Sequence, residues 1–346
     1  MPRRILGLET SCDETSVALL DVGGSLKTPS VRLIKHVVSS QVKIHARYGG
    51  VVPEVAARTH VAEVVELLTD VLGKKGTQGF DAIAVTRGPG LATALRVGIQ
   101  AAQTLAWISG KPIVGINHLE GHLASAWLLP ENREKWAFPA LALLVSGGHT
   151  ELVLMRDFGR YTVVGSTRDD AAGEAFDKSA KVLGLGYPGG PKLSKLATDG
   201  RDDAFDIPRP MLKDASLDFS FSGLKTAVRQ IVEKTPSVKK GKKCKDLCAS
   251  IEVAIVEVLV TKTVRAAKKY KVKNILLVGG VSANARLRRD LAVAVRQELP
   301  GTVFLKPAVQ FSTDNAAMIA AAGAWNLLKG RTTDWKKLDA EPELDL

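Results

Sequence analysis

The sequence predicts an α/β protein made of two similar halves. Short apolar runs at residues 5–8 and 16–21 flank a polar turn and predict a β-hairpin near the N-terminus. A strand over 82–86 and a helix over 91–109 follow, because the apolar residues there form first a short run and then a helical pattern. The second half repeats this order, which is typical of two α/β lobes with a cleft between them.

The second half begins with strands and ends on a helix–strand pair. An amphipathic helix is predicted over 246–269, and a strand over 274–278 follows it. Three further strands are expected to form a meander before that helix, over 141–146, 151–155 and 161–166.

These elements divide the chain into lobes. We expect residues 1–133 to form the N-terminal lobe and residues 134–314 the C-terminal lobe. A helix over 315–330 is expected to pack back on the first lobe, and residues 331–346 to form a polar tail.

Composition excludes several classes of protein. The chain has 346 residues, of which 45% are hydrophobic, so it can bury a sizeable core. No apolar run approaches the roughly 18 residues of a membrane helix, and the apolar stretch after Arg4 is too short for a signal peptide. Three cysteines, Cys12, Cys244 and Cys248, are too few for a disulfide framework and suit a reducing compartment.

The net charge of +12 is concentrated in one segment. Residues 233–273 carry twelve basic and four acidic side chains. A basic face of this kind attracts polyanions, and nucleic acid is the natural candidate. The alternative is that the run from Lys239 to Lys243 is only a solvated loop.

Two histidines provide the sharpest local motif. His118 and His122 are four residues apart, so on a helix both imidazoles face one ion. Glu120 is displaced from its position in the zinc-protease motif, which makes it a poor general base. Asp314 can supply a third, oxygen ligand. The alternatives are a polar helix face for the histidines and a helix cap at residue 316 for Asp314.

Glycine-rich loops suggest a bound nucleotide. The loops at 146–150 and 279–284 each follow a predicted strand, and the loop at 187–191 is interpreted as an isolated tight turn. Glycines let backbone amides approach phosphate oxygens, although each loop alone is also compatible with plain turn chemistry. The chain has neither a P-loop nor a Rossmann glycine motif.

Acidic clusters occur at 9–15 and 169–178. Carboxylates this close repel each other unless they share a cation, bond a hydroxyl or face water. Solvated turns are the alternative for both clusters. The Cys244–Cys248 pair is interpreted as helix surface, because no second cysteine pair completes a metal site.

Taken together, these motifs resemble the TsaD family of tRNA N6-adenosine threonylcarbamoyltransferases, once labelled O-sialoglycoprotein endopeptidases. The resemblance extends from residue 5 to about residue 325 and includes GLETSCDET at 7–15, YGGVVPE at 48–54 and DFSFSGLKT at 218–226. The other matching motifs occur in the family's order, at 118–122, 146–150, 170–178, 187–191, 279–284 and 313–315. The histidine of SGGHT at 146–150 is typical of the bacterial and mitochondrial branch.

The resemblance implies a fold and a set of site residues. The fold would be the actin-like, Hsp70-like ATPase (ASKHA) fold, with two ribonuclease-H-like lobes. His118, His122 and Asp314 would hold one divalent metal ion, Fe²⁺ or Zn²⁺. The adenylate substrate, threonylcarbamoyl-AMP, would be bound by residues of the second lobe, namely Leu144, Val145, Ser146, Gly147, Gly148, Asp177, Gly190 and Asn284; ATP or AMP could occupy the same site.

The implied reaction transfers the threonylcarbamoyl group to N6 of the adenosine immediately 3′ of the anticodon, in tRNAs reading codons that begin with A. That amine must lose a proton, so a nearby carboxylate is needed, and we expect Asp13 or Glu14 to be catalytic. The expected partners are tRNA with TsaB-like and TsaE-like proteins in a bacterial cytoplasm, or a homodimer in a mitochondrial matrix. The competing hypotheses are a metallopeptidase and an actin-like nucleotide-dependent scaffold.

Overall fold

The computed structural model describes residues 3–26 and 28–346, which divide into two compact units. The first unit comprises the chain up to Trp136 together with Lys306–Leu346, and the second comprises Ala137–Leu305. Residues 306–314, which we expected in the second lobe, therefore lie in the first unit. At the point of return Asn132 Nδ2 of this unit donates a hydrogen bond to the carbonyl oxygen of Lys306, at 3.0 Å.

Ten strands form the two sheets. In chain order they are β1 (Arg3–Glu9), β2 (Glu14–Gly24), β3 (Pro29–Ser40), β4 (Ala82–Gly88), β5 (Ile113–Asn117), β6 (Ala140–Val145), β7 (Thr150–Asp157), β8 (Arg160–Ser166), β9 (Asn274–Val278) and β10 (Val303–Leu305). The predicted N-terminal hairpin is confirmed, with Leu6 opposite Leu19. The predicted meander is the antiparallel run β6–β7–β8.

The helices connect and cover these strands. In chain order they are α1 (Val42–His45), α2 (Pro53–Leu72), α3 (Ala92–Ser109), α4 (His118–Ser125), α5 (Pro130–Arg133), α6 (Ala172–Leu183), α7 (Gly189–Ala197), α8 (Ser222–Lys234), α9 (Gly241–Tyr270), α10 (Ala285–Glu298) and α11 (Ala316–Leu328). Within the described residues no helix is both long and apolar enough to cross a membrane.

Both sheets have the same topology. The first has the strand order β3-β2-β1-β4-β5, and the second has the order β8-β7-β6-β9-β10 when written in the same direction. In the first sheet β1, β2 and β3 pair antiparallel, while β4 and β5 run parallel to β1. In the second sheet β6, β7 and β8 pair antiparallel in the same way, while β9 and β10 run parallel to β6. The duplicated α/β architecture predicted from the sequence is thus confirmed as two copies of one five-stranded arrangement.

The two faces of the first sheet are covered differently. Because side chains alternate along a strand, Leu6 and Leu8 of β1 face α2 and α3, where they join one apolar core. Gly7 faces the opposite way, against α11. A β-carbon on Gly7 would collide with the carbonyl oxygen of Ala316, and one on Gly323 would lie 2.5 Å from Ala84 Cβ. Small residues on both surfaces therefore let α11 lie directly on the sheet.

The second unit is built around α9. This helix has 30 residues and begins at Gly241, five residues before its predicted start. Cys244 and Cys248 are buried on it, so their interpretation as helix surface was wrong. The interpretation rested on the absence of a second cysteine pair, which excludes a metal site but does not predict exposure; both cysteines pack with Leu247 and Ile251 in the core of the second unit.

The C-terminal residues were expected to form a polar tail, yet they pack on the first unit. Leu338 is buried in the same core as Leu6. Gln103 Nε2 donates hydrogen bonds to the carbonyl oxygens of Trp335 and Leu338, at 2.7 and 2.9 Å. Buried apolar and backbone contacts of this kind cannot be recognised from the composition of a polar segment.

A substitution at Gly7 tests the close approach of α11. We expect Gly7→Ala to lower the free energy of unfolding by about 1–3 kcal/mol, because the new methyl group displaces the start of the helix. Chemical denaturation measures this change. The matched control is Gly50→Ala, since no atom lies within 4 Å of a β-carbon at Gly50. Equal stability of the two variants would contradict the packing argument.

Candidate metal centre and substrate loops

The two histidines of the predicted metal site lie on α4. The side chain of Asn117 caps this helix by accepting hydrogen bonds from the backbone N–H groups of Leu119 and Glu120, at 2.8 and 3.4 Å. His118 and His122 consequently lie one turn apart on one face, with ring centroids separated by 4.7 Å. Both rings are buried, which is unusual for a solvated polar helix face.

Asp314 reaches the histidines from the segment before α11. It does not cap that helix, as one interpretation of the sequence allowed, because Asn315 occupies the cap position. The side chain of Asn315 accepts from the N–H of Met318 at 3.0 Å. The carboxylate of Asp314 is thereby left to face α4.

Three potential ligand atoms converge within the first unit. Asp314 Oδ1 lies 3.4 Å from His118 Nε2 and 3.3 Å from His122 Nε2, and the three atoms all lie within 4.8 Å of one another. Neither ring nitrogen of the fully buried His122 makes a well-aligned hydrogen bond within the described chain, and Asp314 is the only acidic group recorded beside its Nε2. A buried imidazole with poorly satisfied nitrogens is costly, and coordination of a cation removes that cost. The residues therefore fit a divalent metal ion.

Glu9 supports this cluster from behind. Its Oε2 lies 3.0 Å from His118 Nδ1, and it also accepts from Thr86 Oγ1 at 2.7 Å. A carboxylate that accepts from Nδ1–H leaves Nε2 free to act as the ligand atom and fixes the ring orientation. The sequence placed Glu9 only in an acidic cluster. Its position at the end of a buried strand was the available signal, because a buried carboxylate requires partners.

Charge is unevenly distributed over the cluster. Burial lowers the pKa of His118, but the carboxylates of Asp314 and Glu9 outweigh it and raise that pKa well above its usual value. Burial also opposes ionisation of Asp314, yet the two histidines keep the pKa of this carboxyl far below its usual range. Burial lowers the pKa of His122, which is therefore neutral. One imidazolium and two carboxylates leave an excess of negative charge, which favours binding of a cation; an ion held by His118 would replace the proton that Nε2 carries without it.

Asp13 and Glu14, the predicted catalytic carboxylates, follow the turn after β1. The carbonyl oxygen of Asp13 accepts from the N–H of Gln41 at 3.0 Å, and Asp13 is buried. Burial, together with the charges of Asp314 and Asp13, raises the pKa of Glu14 to about 10. The turn itself reaches the cluster, since Ser11 Oγ lies 3.2 Å from His118 Nδ1. A cation bound by Asp314 would remove one of the charges that keep Glu14 protonated.

The predicted substrate residues of the second unit gather at the end of β6. Leu144 and Val145 are the last residues of this strand and are fully buried. Ser146, Gly147 and Gly148 form the turn into β7, not a turn into a helix, and a β-carbon on either glycine would meet no atom within 4 Å. The amides of this turn are thus accessible to a ligand.

Two other segments approach this turn. A β-carbon on Gly173, at the start of α6, would lie 2.5 Å from the carbonyl oxygen of Ser146, and Gly279 at the end of β9 packs against Val145. The carboxyl ends of the parallel strands β6 and β9 are therefore adjacent to a helix N-terminus. Nucleotides bind at this edge in open α/β sheets.

Asp177 and Gly190 contact each other directly. Asp177 Oδ1 accepts from the N–H groups of Gly189 and Gly190, at 2.8 and 2.7 Å. These amides open α7, so the loop at 187–191 is not the isolated turn that was predicted. The spacing of glycine and proline in the sequence did not indicate that a carboxylate of α6 would cap this helix.

Asn284 is engaged within the second unit. Its Oδ1 caps α10 by accepting from the N–H of Leu287 at 2.8 Å, while its Nδ2 donates to Glu252 Oε1 and Ser194 Oγ, at 2.7 and 2.9 Å. Both amide protons are thus directed at neighbouring side chains. A ligand contact by Asn284 would require one of these bonds to be exchanged.

Solved structures place this fold in a known class. Full-length HypF in its phosphate- and nucleotide-bound form is 13% identical, with a TM-score of 0.56 over 94% of this chain; the chain spans 46% of HypF, about half its length. The activator of 2-hydroxyisocaproyl-CoA dehydratase from Clostridium difficile is 16% identical, with a TM-score of 0.51 over 94% of this chain and 96% of that one. The duplicated sheets are therefore those of an ASKHA-type ATPase fold.

The family follows from the sequence comparisons. The model of the TsaD family, tRNA N6-adenosine threonylcarbamoyltransferase, matches residues 32–321. A protein of that name from Anaeromyxobacter dehalogenans is 50% identical over 341 residues, 98% of each chain. One from Ralstonia pickettii is 51% identical over 93% of this chain and 91% of its own length. The chain belongs to the TsaD family of tRNA N6-adenosine threonylcarbamoyltransferases.

The role of Glu9 is testable without an activity assay. We expect Glu9→Gln to weaken Zn²⁺ binding about 10- to 100-fold, because His118 loses the charged acceptor that orients its ring. Competition with a chromogenic chelator measures this affinity. Glu66→Gln removes one negative charge from an exposed position of α2 and serves as the control. Equal affinity of both variants would show that Glu9 does not support the ligand.

Proposed function

We propose that this chain transfers a threonylcarbamoyl group from threonylcarbamoyl-AMP to N6 of the adenosine immediately 3′ of the anticodon, in tRNAs reading codons that begin with A. Membership of the TsaD family supports the transferase activity and the tRNA substrate. The structural observation that carries the proposal is the convergence of His118, His122 and Asp314 on one point, beside the turn that bears Asp13 and Glu14.

The metal site is assigned to His118, His122 and Asp314. We propose Fe²⁺ or Zn²⁺, since two imidazole nitrogens and one carboxylate oxygen suit both ions. A divalent cation held there supplies positive charge to oxygens that become more negative during acyl transfer. Three protein ligands leave coordination positions open for a substrate oxygen, unlike a closed structural site.

The adenylate site is assigned to the second unit. The residues proposed to bind it are those at the end of β6 and around it, namely Leu144, Val145, Ser146, Gly147, Gly148, Asp177, Gly190 and Asn284. The free amides of the Gly147–Gly148 turn support contacts to phosphate oxygens, because no side chain shields them. Stabilising the departing AMP lowers the barrier to cleavage of the mixed anhydride.

Removal of the proton from the attacking amine is assigned to the carboxyl groups that follow β1. An amine that becomes acylated loses a proton as the new bond forms, and a positioned carboxylate accepts it. Asp13 and Glu14 are the candidates, since they are consecutive carboxyl groups at the end of the turn that leads from β1 into β2.

The metallopeptidase alternative cannot use Glu120 as its general base. Glu120 lies between the two histidines along the chain, but its Oε2 accepts from Asn326 Nδ2, at 3.4 Å. This contact directs its carboxylate toward α11. The scaffold alternative leaves the convergence of His118, His122 and Asp314 unexplained.

The basic segment is proposed to bind tRNA. Lys239, Lys240, Lys242 and Lys243 are exposed and flank the first residue of the long helix α9. Cations at a helix N-terminus oppose the helix dipole, and the first turn of α9 holds no acidic residue. These lysines therefore do not stabilise the helix itself, and attraction of phosphates accounts for them better.

The bacterial origin of the relatives favours a cytoplasmic enzyme working with TsaB-like and TsaE-like proteins over a mitochondrial homodimer. An apolar groove of about 840 Å³ between α2 and α3 supports a protein partner. Val61, Val65 and Trp107 are among the large apolar side chains exposed on these helices, and such patches commonly mark contacts between proteins.

Loss of one ligand tests the function directly. We expect His118→Ala to lose bound metal and to reduce transfer at least 100-fold, because one of three ligands is removed. Metal analysis and the formation of modified adenosine from threonylcarbamoyl-AMP and unmodified tRNA, with the bacterial accessory proteins present, measure both effects. Glu120→Gln, on the same helix, should retain both. Normal transfer by protein from which the metal has been removed would contradict the assignment.

Replacing the exposed lysines tests tRNA binding. The combined substitution of Lys239, Lys240, Lys242 and Lys243 by alanine should weaken tRNA affinity and reduce the slope of log K against log salt by roughly 0.7–0.9 for each phosphate that is no longer neutralised. Binding titrations at several salt concentrations measure the slope. Replacement of Lys74 and Lys75, exposed in the first unit, is the control. An unchanged slope would mean that tRNA binds elsewhere.

A further inference from the structure

A buried histidine contacts both sides of the proposed catalytic pair. His60 lies on α2 and is fully buried. Its Nε2 is 3.0 Å from the carbonyl oxygen of Cys12, and its Nδ1 is 2.8 Å from Thr15 Oγ1. Cys12 and Thr15 immediately precede and follow Asp13 and Glu14. A single imidazole therefore holds the two ends of this dipeptide.

Chemistry fixes the tautomer of His60. A carbonyl oxygen only accepts hydrogen bonds, so Nε2 carries a proton and donates it to Cys12. Burial lowers the pKa of His60, so the ring is neutral and Nδ1 is an acceptor. Two possible donors lie next to Nδ1, the hydroxyl of Thr15 and Gln41 Nε2, the latter at 3.2 Å. Nε2 of the ring thus contacts Cys12, which precedes Asp13, and Nδ1 contacts Thr15, which follows Glu14.

Neighbouring side chains hold His60 and its partners in place. Gln41 Oε1 lies 3.2 Å from His45 Nε2, and both of these residues are buried. Thr15 Oγ1 also lies 2.7 Å from Glu63 Oε2, so its single hydroxyl proton is shared between this carboxylate and His60 Nδ1. Glu63 Oε1 accepts from Ser39 Oγ at 2.9 Å. Two strands and two helices therefore contribute to one polar network under the turn.

None of these contacts involves a proposed metal ligand. His118 is oriented by Glu9, and Asp314 by the capped start of α11, so the metal cluster has its own supports. The network around His60 bonds instead to the backbone and hydroxyl groups that border Asp13 and Glu14. Its most direct geometric effect on the site is to set the position of that pair; Ser11, one residue before Cys12, also lies 3.2 Å from His118 Nδ1 through its Oγ, so metal content is measured in every variant.

We propose that His60 is a positioning residue that holds Asp13 and Glu14 at the reacting amine by bonding the residues on either side of them. This inference rests on the proposed role of the pair in proton transfer. His60 itself does not reach the substrate. Its effect arises because small displacements of a catalytic group slow a reaction strongly.

Kinetics of three variants test the inference. We expect His60→Ala to lower kcat about 10- to 100-fold, with the KM for tRNA and the metal content unchanged. His60→Gln keeps an N–H group near the position of Nε2 and should recover part of the loss. Thr15→Val removes the other bond with little change in volume and should lower kcat without affecting metal content. Thr59→Ala, whose hydroxyl bonds its own helix at Val55, is the matched control.

Double variants separate this inference from the proposed function. The single variants Asp13→Asn and Glu14→Gln first identify the carboxylate that transfer requires. In the background of that variant, His60→Ala should cause no further loss, because residues acting as one unit are not additive. Three results would overturn the positioning role. The first is an additional loss in the double variant, and the second is a normal kcat of His60→Ala. The third is a metal content that falls together with kcat in both His60→Ala and Thr15→Val. If neither carboxylate variant reduces transfer, the base assignment itself fails, and with it the role of His60.

Discussion

The site depends on the direct contact between α11 and the first sheet. Alanine predominates in α11, and every residue of this helix except Asn326 and Leu328 is buried. Gly7 and Gly323 remove further β-carbons at the contact, and Gly121 lets α4 lie against Ile319 of the same helix. A helix seated this closely has one position along the sheet, because close-packed surfaces do not slide freely. The fixed position of α11 therefore also fixes where Asp314, just before this helix, lies relative to His118 and His122.

The strand β1 links this packing to the chemistry. Gly7 accepts α11 on one face, and Glu9, two residues further on the same face, holds His118. The turn after Glu9 is then secured from several directions, since the carbonyl oxygen of Ser11 accepts from the N–H of Leu91 and that of Cys12 from His60. Metal ligand and proposed base are thus both positioned by one strand. Rigidity of this kind keeps reacting groups in place without cost at the moment of reaction.

The sequence predicted the local elements well and the long-range contacts poorly. The spacing of His118 and His122 indicated a shared helix face, and the apolar pattern predicted seven of the ten described strands; β3, β5 and β10 were missed. Glu9 and His118 are separated by 109 residues, and His60 and Cys12 by 48, so no local pattern identified either pair. The burial of Leu338 and Cys244 was missed for the same reason, because each residue lies in a polar stretch and is buried by contacts with residues distant in the sequence.

The first unit is discontinuous in the chain, and this has a consequence for biosynthesis. During translation the histidines emerge long before Asp314, and the whole second unit is made in between. Until α11 leaves the ribosome, one face of the first sheet has no cover and the two imidazoles lack their carboxylate from that segment. A nascent or prematurely terminated chain therefore cannot bring Asp314 to His118 and His122, so binding of an ion at the proposed site would require synthesis through α11.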